Sequence, residues 1–162
     1  MFLIFLFSKD DISSLADKIV LLIQKGDFKN ISNYATKEGI IFSIDIYIDS
    51  LDPKLSAKKL KFILKDTTKL FFGYESGSGR EIYMTFNDFY KKYLNKDYIK
   101  GKKSINSLIG KTSVKNNILE YFKNAQFVEY YLEGKEEYDW HSLILVFRGR
   151  ALLAIIHSSW SP

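Results

Sequence analysis

The chain has 162 residues, of which 46% are hydrophobic and 16% aromatic, and this composition suits one domain with a well-filled apolar core. Its 24 basic and 19 acidic side chains give a net charge of +5, an excess that permits an anionic partner without requiring one. The absence of cysteine excludes disulfide bonds and thiolate metal sites.

The chain opens with seven apolar residues, MFLIFLF, within a single expected domain over residues 1–162. This run has no preceding basic region and no small-residue cleavage pattern, and it is too short to span a bilayer. Two interpretations of residues 1–8 stay open. They are an apolar lead-in to the first helix, in a cytoplasmic protein, or the remnant of an export signal, in an extracytoplasmic one.

Two helices are expected next. After possible capping residues from Ser8 onward, apolar side chains recur at helical spacing to about Lys25, which predicts a first helix that ends at Gly26. Asp27 can cap a short second helix with Phe28 on its apolar face. The opening of the chain is therefore a helical pair joined by a tight corner.

Residues 39–49 change to a period of two and predict a long strand. Asp45 and Tyr47 fall on its more polar face, which a curved sheet could fold around a cavity.

Asp52 and Pro53 then predict a helix start. Lysines recur along one side of that helix, with no aromatic residue in the stripe to suggest base stacking, and they are Lys54, Lys58, Lys61 and Lys65. Such a stripe could touch phosphates or an acidic surface, or only face solvent.

The middle of the chain predicts a hairpin and a third helix. Residues 67–74 and 81–84 have the composition of paired strands, and Thr85 to Asp88 fits a capping box that opens a helix with an aromatic face. Residues 95–111 show little periodicity and are expected to form a mobile loop. Residues 127–133 alternate well enough to form a further strand.

Residues 139–160 form two nearly continuous apolar runs around Arg148-Gly149-Arg150, the pattern of a hairpin covered on both faces. A two-residue turn at Gly149 and Arg150 pairs Arg148 with Ala151. Counting back from that turn places His141 opposite Ser158 and His157 opposite Ser142, so the two imidazoles point to opposite faces. A three-residue turn would place the histidines across from each other, but it would need Arg150 in the position that glycine usually takes. A two-histidine metal site is therefore not expected.

This order of elements predicts an α+β fold, in which about three N-terminal and central helices pack on one face of a cone-like, bent antiparallel sheet. The order, together with the run Gly26-Asp27-Phe28, Ile31, Tyr34-Ala35 and the GIIF of residues 39–42, resembles the nuclear transport factor two-like superfamily. That superfamily includes ketosteroid isomerase, scytalone dehydratase and polyketide cyclases. The resemblance implies a pocket inside the cone, in a superfamily where many members are inert binding or dimerisation modules.

The resemblance also implies site residues. Isomerase-type members carry a carboxylate base on the strand after the second helix, where this chain has Ser43 and then Asp45. Dehydratase-type members use histidine with aspartate, which implies a role for His141 or His157 beside Asp45. The tyrosine that isomerases carry on the first helix has no counterpart, since the inner positions there are aliphatic.

Three functions are compatible with these patterns. The first is a non-catalytic module that binds a small, mostly apolar molecule or a protein, with the expected pocket lined by Tyr47, Tyr74, Tyr131 and Trp140. The second is a cofactor-independent lyase or isomerase with Asp45 as base and a histidine as partner. The third is binding of a polyanion through the lysine stripe.

The expected partners follow from the same patterns. Because both faces of the last hairpin are apolar, a homodimer through the sheet is expected. No cofactor or metal is expected, and neither nucleic acid nor a membrane is an expected partner.

Overall fold

A computed structural model describes residues 8–75 and 77–161; the apolar run at residues 1–7 lies outside the described residues. The described helices are α1 (Lys9–Gln24), α2 (Phe28–Ile31), α3 (Ala57–Leu60), α4 (Phe86–Phe89) and α5 (Ile118–Tyr121). The described strands are β1 (Ile40–Ser43), β2 (Lys54–Leu55), β3 (Lys69–Tyr74), β4 (Glu81–Thr85), β5 (Lys102–Ile105), β6 (Gln126–Leu132), β7 (His141–Arg148) and β8 (Ala151–Ser159). Shorter helical turns are the 3-10 turns Ser32–Tyr34, Ile63–Lys65 and Tyr98–Lys100 and the π-helical turn Tyr90–Leu94.

The opening helical pair is confirmed, and its caps explain it. The Ser8 hydroxyl accepts a hydrogen bond from the backbone N–H of Asp11, and the Asp27 carboxylate accepts one from Asn30. Gly26 has φ of +67°, the left-handed conformation that glycine adopts at helix ends. Within the described residues, no helix is long and apolar enough to cross a membrane.

The α+β class is confirmed, and the main sheet has the strand order β2-β1-β8-β7-β6-β5. Its pairings are antiparallel except that β1 runs parallel to β8, so the sheet is mixed rather than antiparallel as predicted. β1 pairs with β8, from which it is separated by most of the chain. No tight turn connects these two strands, so they are free to run parallel. The predicted central hairpin is confirmed as a separate two-stranded sheet of β3 and β4.

Both faces of the main sheet are covered by this chain. The inner face packs against α1, α2, α4 and the π-helical turn, around aromatic contacts such as Phe28 with Phe86, whose ring centroids lie 5.0 Å apart. The outer face packs against Ile46, Ile48, Ile118 and Phe122. A second subunit is therefore not needed to bury the outer face of the last hairpin, which was the reason for expecting a dimer.

The predicted long strand over residues 39–49 is wrong beyond Ser43. The Ser43 hydroxyl donates to the backbone oxygen of Asp45 at 2.7 Å and accepts from its N–H at 3.3 Å, and these bonds turn the chain out of the strand. Ile46 and Ile48 consequently pack on the outer face rather than continuing the inner one.

The predicted helix start at Asp52 and Pro53 is also wrong. Pro53 is buried, and its carbonyl accepts a hydrogen bond from Phe42, which leads the chain into β2 beside β1. The helix begins after Ser56, whose hydroxyl caps the N–H of Lys59. Lys54 therefore lies on a strand, and only the later lysines of the predicted stripe lie on helical turns.

Residues 95–111, the segment predicted to be a mobile loop, contain regular structure in part. They contain the 3-10 turn Tyr98–Lys100 and the edge strand β5. Tyr98 is fully buried and donates a hydrogen bond to the carbonyl of Tyr93, while the side chain of Gln24 accepts from the N–H of Ile99. This segment is held by isolated apolar side chains that lie between lysines. Because these side chains do not recur at helical or strand spacing, the sequence pattern did not reveal the structure.

Candidate ligand-binding cleft

A cleft of about 900 Å³ opens between the β3–β4 hairpin, the π-helical turn and the end of β8. We call it the hairpin cleft. Its walls are lined by Ile44, Asp45, Tyr74, Glu75, Gly77, Arg80, Glu81, Ile82, Tyr83, Lys92, Tyr93, Thr112, Val114, His157, Ser158, Ser159, Trp160 and Ser161.

Four aromatic side chains form much of the accessible wall. Tyr74, Tyr83 and Trp160 are 58%, 54% and 39% exposed, so their rings are accessible from solvent. Phe71 supports the two hairpin tyrosines, because its ring centroid lies 5.3 Å from each of theirs. The fourth ring, Tyr93, lies 4.7 Å from the imidazole of His157. The cleft therefore offers braced aromatic surfaces to a ligand.

The charges at the cleft mouth are of both signs. The Arg80 guanidinium pairs with Glu75 at 3.1 Å, and the Ser78 hydroxyl donates to the same carboxylate oxygen at 2.6 Å. The hydrogen bond from Ser78 and the charge of Arg80 lower the pKa of Glu75. Lys92 lies 5.2 Å from the centroid of the Tyr93 ring. With Asp45 and Glu81 also present, the cleft has no dominant charge that would select a strongly ionic ligand.

The two histidines lie on the same face of the sheet, so the prediction of opposite faces is wrong. The predicted turn is present, since Arg148 pairs with Ala151. A β-bulge intervenes, however, because Phe147 pairs with Leu152 and Val146 with Ala154, which leaves Leu153 as an extra residue. Leu153 and Ala154 both pack on the outer face, and the alternation of β8 is reversed beyond them.

The bulge moves the register by one residue, so His141 pairs with Ser159 and His157 with Leu143. Both imidazoles then project from the inner face, and Nδ1 of His141 lies 2.9 Å from Nε2 of His157. Sequence counting missed this pair because a bulge without glycine or proline has no local signal.

Hydrogen bonding fixes the tautomers of the pair. Nδ1 of His157 lies 3.1 Å from the carbonyl oxygen of Ile44, which can only accept, so this nitrogen carries the proton. Nε2 of His157 must then accept from Nδ1 of His141. Burial lowers the pKa of His157 to about 3 and lowers that of His141 as well. His157 is therefore neutral, with both nitrogens engaged, and Nε2 of His141 is the nitrogen left to interact with other groups.

Asp45 lines both the hairpin cleft and an adjoining pocket of about 200 Å³, in which Asp49, Asp52 and Tyr47 also lie. The three carboxylates accept backbone hydrogen bonds within this turn: Asp45 from Tyr47, Asp49 from Leu51 and Asp52 from Asp49. Burial raises the pKa of Asp45, and burial with the two neighbouring carboxylates raises that of Asp52 to about 7. Asp45 and His157 line the same cleft but are not hydrogen-bonded to each other. The Asp45 carboxylate accepts from the N–H of Tyr47, and the His157 ring donates to the carbonyl oxygen of Ile44.

The four aromatic residues predicted to line one pocket are divided between separate places. Tyr74 lines both the cleft and the adjoining pocket, and Tyr47 lines only the latter. Tyr131 and Trp140 are not in the cleft lining and instead contact each other as a tilted pair, with ring centroids 5.6 Å apart. The indole of Trp140 packs so closely on Gly110 that a Cβ there would lie 2.5 Å from it.

Three of the cleft rings were not predicted as ligand contacts. These are Tyr93, in the predicted third helix with an aromatic face, and Tyr83 and Trp160, for which the sequence suggested no role in binding. Tyr83 alternates with Ile82 and Met84 on a short strand, a pattern that could have indicated an exposed ring.

Among the residues that the structure describes, no group of three or more histidine, aspartate or glutamate side chains is placed to hold a metal ion. Comparisons of the chain with models of protein families, with curated proteins and with solved structures find no match.

Proposed function

We propose that the protein binds a small, planar, largely uncharged molecule in the hairpin cleft, without catalysis. The observation that carries the proposal is a cleft of about 900 Å³ bounded by four aromatic rings. Its volume matches the range of small-molecule sites, which combine apolar surface with a few polar groups. Ring-on-ring packing against Tyr74, Tyr83, Tyr93 and Trp160 would hold the ligand. Ser158 and Ser159 also line the cleft.

The hydrogen-bonding state of His157 supports binding rather than acid–base chemistry. A general base needs a free lone pair directed at its substrate. His157 is 2% exposed, donates through one nitrogen and accepts through the other, so it braces the wall behind Tyr93. The likeness in element order to the nuclear transport factor two-like superfamily is compatible with this function, and membership of that superfamily is part of the proposal.

Titration with 2-naphthol, followed by two-dimensional NMR, tests the proposal. We expect saturable shifts in the backbone signals of the β3–β4 hairpin and of residues 157–161. Trp160→Ala and Tyr83→Ala should each weaken binding by about tenfold, since each removes one ring contact. Tyr121→Ala is the matched control, because this exposed tyrosine lies outside the cleft lining. Shifts spread over the whole surface, or equal losses in all three variants, would refute the site.

An acid–base function is the second candidate, favoured by one observation. Asp45 lies in the cleft wall, and burial raises the pKa of its carboxyl group, as suits a catalytic base. Such a reaction would use Asp45 as the base. Its histidine would be His141, which adjoins the cleft through His157 and whose Nε2 can exchange a proton without breaking the His–His hydrogen bond.

The two candidates differ in what they predict for a ketone. 2-Tetralone has a similar shape to 2-naphthol and has exchangeable hydrogens beside its carbonyl group. If the cleft only binds, the protein will not accelerate uptake of deuterium from D₂O by this ketone. Acceleration that Asp45→Asn abolishes, with 2-naphthol binding retained, would replace binding alone with the acid–base function.

A further inference from the structure

The net positive charge of the chain is concentrated in one short segment. Residues 54–69 contain six lysines and one acidic residue, Asp66, whereas the 18 basic and 18 acidic side chains elsewhere balance. All six lysines are exposed, and none takes part in an ion pair among the described residues. Charge asymmetry of this kind indicates a surface for an anionic partner.

An aromatic ring projects from the middle of this segment. Leu60 and Ile63 are buried on either side of Phe62, whereas Phe62 itself is 71% exposed. It lies between α3 and the 3-10 turn Ile63–Lys65, where the two flanking apolar residues face the core and direct it outward. Lys58 and Lys61 precede it at the end of α3, and Lys65 follows it in the 3-10 turn. The lysine spacing alone did not place an aromatic ring within the predicted stripe.

We propose that this lysine surface, consisting of Phe62 and Lys54, Lys58, Lys59, Lys61, Lys65 and Lys69, docks on an anionic phospholipid bilayer. Lysines attract the negative surface of such a bilayer, and their flexible stems reach headgroups without fixed geometry. Phe62 enters the boundary between headgroups and acyl chains, which is where aromatic side chains of peripheral proteins lie. The segment lies on the bilayer and does not span it.

The composition of the surface favours a bilayer over a nucleic acid. All six basic side chains are lysines, which bind phosphates as point charges, whereas arginine supplies most contacts that read bases. Nonspecific binding of single strands uses several rings in a groove on which successive bases stack. Here a single ring projects from an exposed helical surface. This proposal departs from the expectation that a membrane is not a partner, because the exposure of Phe62 was not visible in the pattern.

Sedimentation with vesicles tests the proposal. We expect the protein to bind vesicles of phosphatidylcholine that contain phosphatidylserine, to lose binding as salt is raised, and not to bind phosphatidylcholine alone. The triple variant Lys58→Glu, Lys61→Glu, Lys65→Glu should weaken partitioning by about a hundredfold or more, and Phe62→Ala by about fivefold.

Two control variants separate this surface from general charge and hydrophobicity. Lys111→Glu, Lys123→Glu, Lys135→Glu changes three exposed lysines elsewhere by the same total charge, and Leu119→Ala truncates another exposed apolar side chain. Both should bind close to wild type, apart from the modest loss that follows from lower net charge in the triple control. Equal losses in both triple variants, no binding to the anionic vesicles, or a single-stranded DNA that displaces the protein from them at equal phosphate concentration would overturn the proposal.

Discussion

Two polar clusters lie on the main sheet, one sealed and one beside an open cleft. In the sealed cluster, Glu129 is 1% exposed and accepts hydrogen bonds from the N–H groups of Ile109 and Gly110 and from the Ser142 hydroxyl. In the other, His157 is equally buried but lies in the wall of the hairpin cleft. Glu129 and His157 are both buried and fully hydrogen-bonded, and the difference is that only His157 lines an open cleft.

The sealed cluster should be worth most to stability. Glu129→Ala would leave two backbone N–H groups and one hydroxyl without their acceptor in a site closed by Trp140, so we expect a loss of about 3–4 kcal/mol in the free energy of unfolding. Urea denaturation at pH 7 measures it. Glu137→Ala, at an exposed position, is the control and should stay within about 0.5 kcal/mol of wild type.

The same variant also tests the distinction between the clusters. If the sealed cluster is only structural, folded Glu129→Ala protein will bind 2-naphthol within about twofold of wild type. A loss of stability below about 1 kcal/mol would mean that water replaces the carboxylate easily, and that this cluster is not sealed.

How far the sequence predicted these clusters depends on the range of the interactions involved. Helix caps at Ser8 and Thr85 and the turn at Gly149 act over a few residues, and the sequence predicted all three. The histidine pair depends on one unpaired residue, Leu153, which looks like any other apolar residue of a buried strand. The hairpin cleft depends on how three distant segments pack, and no local pattern carries that information.

The histidine beside the cleft should appear in the pH dependence of stability. The folded-state pKa of His157, about 3, lies below its ordinary value of 6.5, so its contribution is complete above pH 6.5 and is lost as the pH falls toward 3. When the pH is lowered from 7 to 4, the free energy of unfolding should fall by about 2–3 kcal/mol less in His157→Gln than in the wild type. Urea denaturation at a series of pH values gives the difference.

His141→Gln is the matched comparison, because its pKa is lowered by burial in the same direction while its ring is only partly buried. His141→Gln should change the pH dependence of the free energy of unfolding less than His157→Gln does. Equal slopes in the two variants would show that the pair titrates as a unit, and that the cleft wall is less dry than the burial of His157 indicates.

Asp52 should give the smallest effect, and it should have the opposite sign. Burial and the charges of Asp45 and Asp49 raise its folded-state pKa to about 7 from an ordinary 3.8. Its contribution is therefore fully present below pH 3.8 and is lost as the pH rises through 7. Asp52→Asn removes the ionisable group and can keep the hydrogen bond from the N–H of Asp49, so at pH 8 it should stabilise the protein by about 1–2 kcal/mol, allowing for solvent screening.

The stabilisation by Asp52→Asn should disappear by about pH 4, where wild-type Asp52 is protonated in the folded state. The effects of Asp52→Asn and His157→Gln on the pH dependence of stability therefore have opposite signs over overlapping pH ranges. The double variant should give a stability profile between those of the two single variants. If Asp52→Asn is instead destabilising at pH 8, the carboxylate is ionised and well solvated there. The pocket beside the hairpin cleft would then be filled by water, and its aromatic side chains would form a hydrated continuation of the cleft.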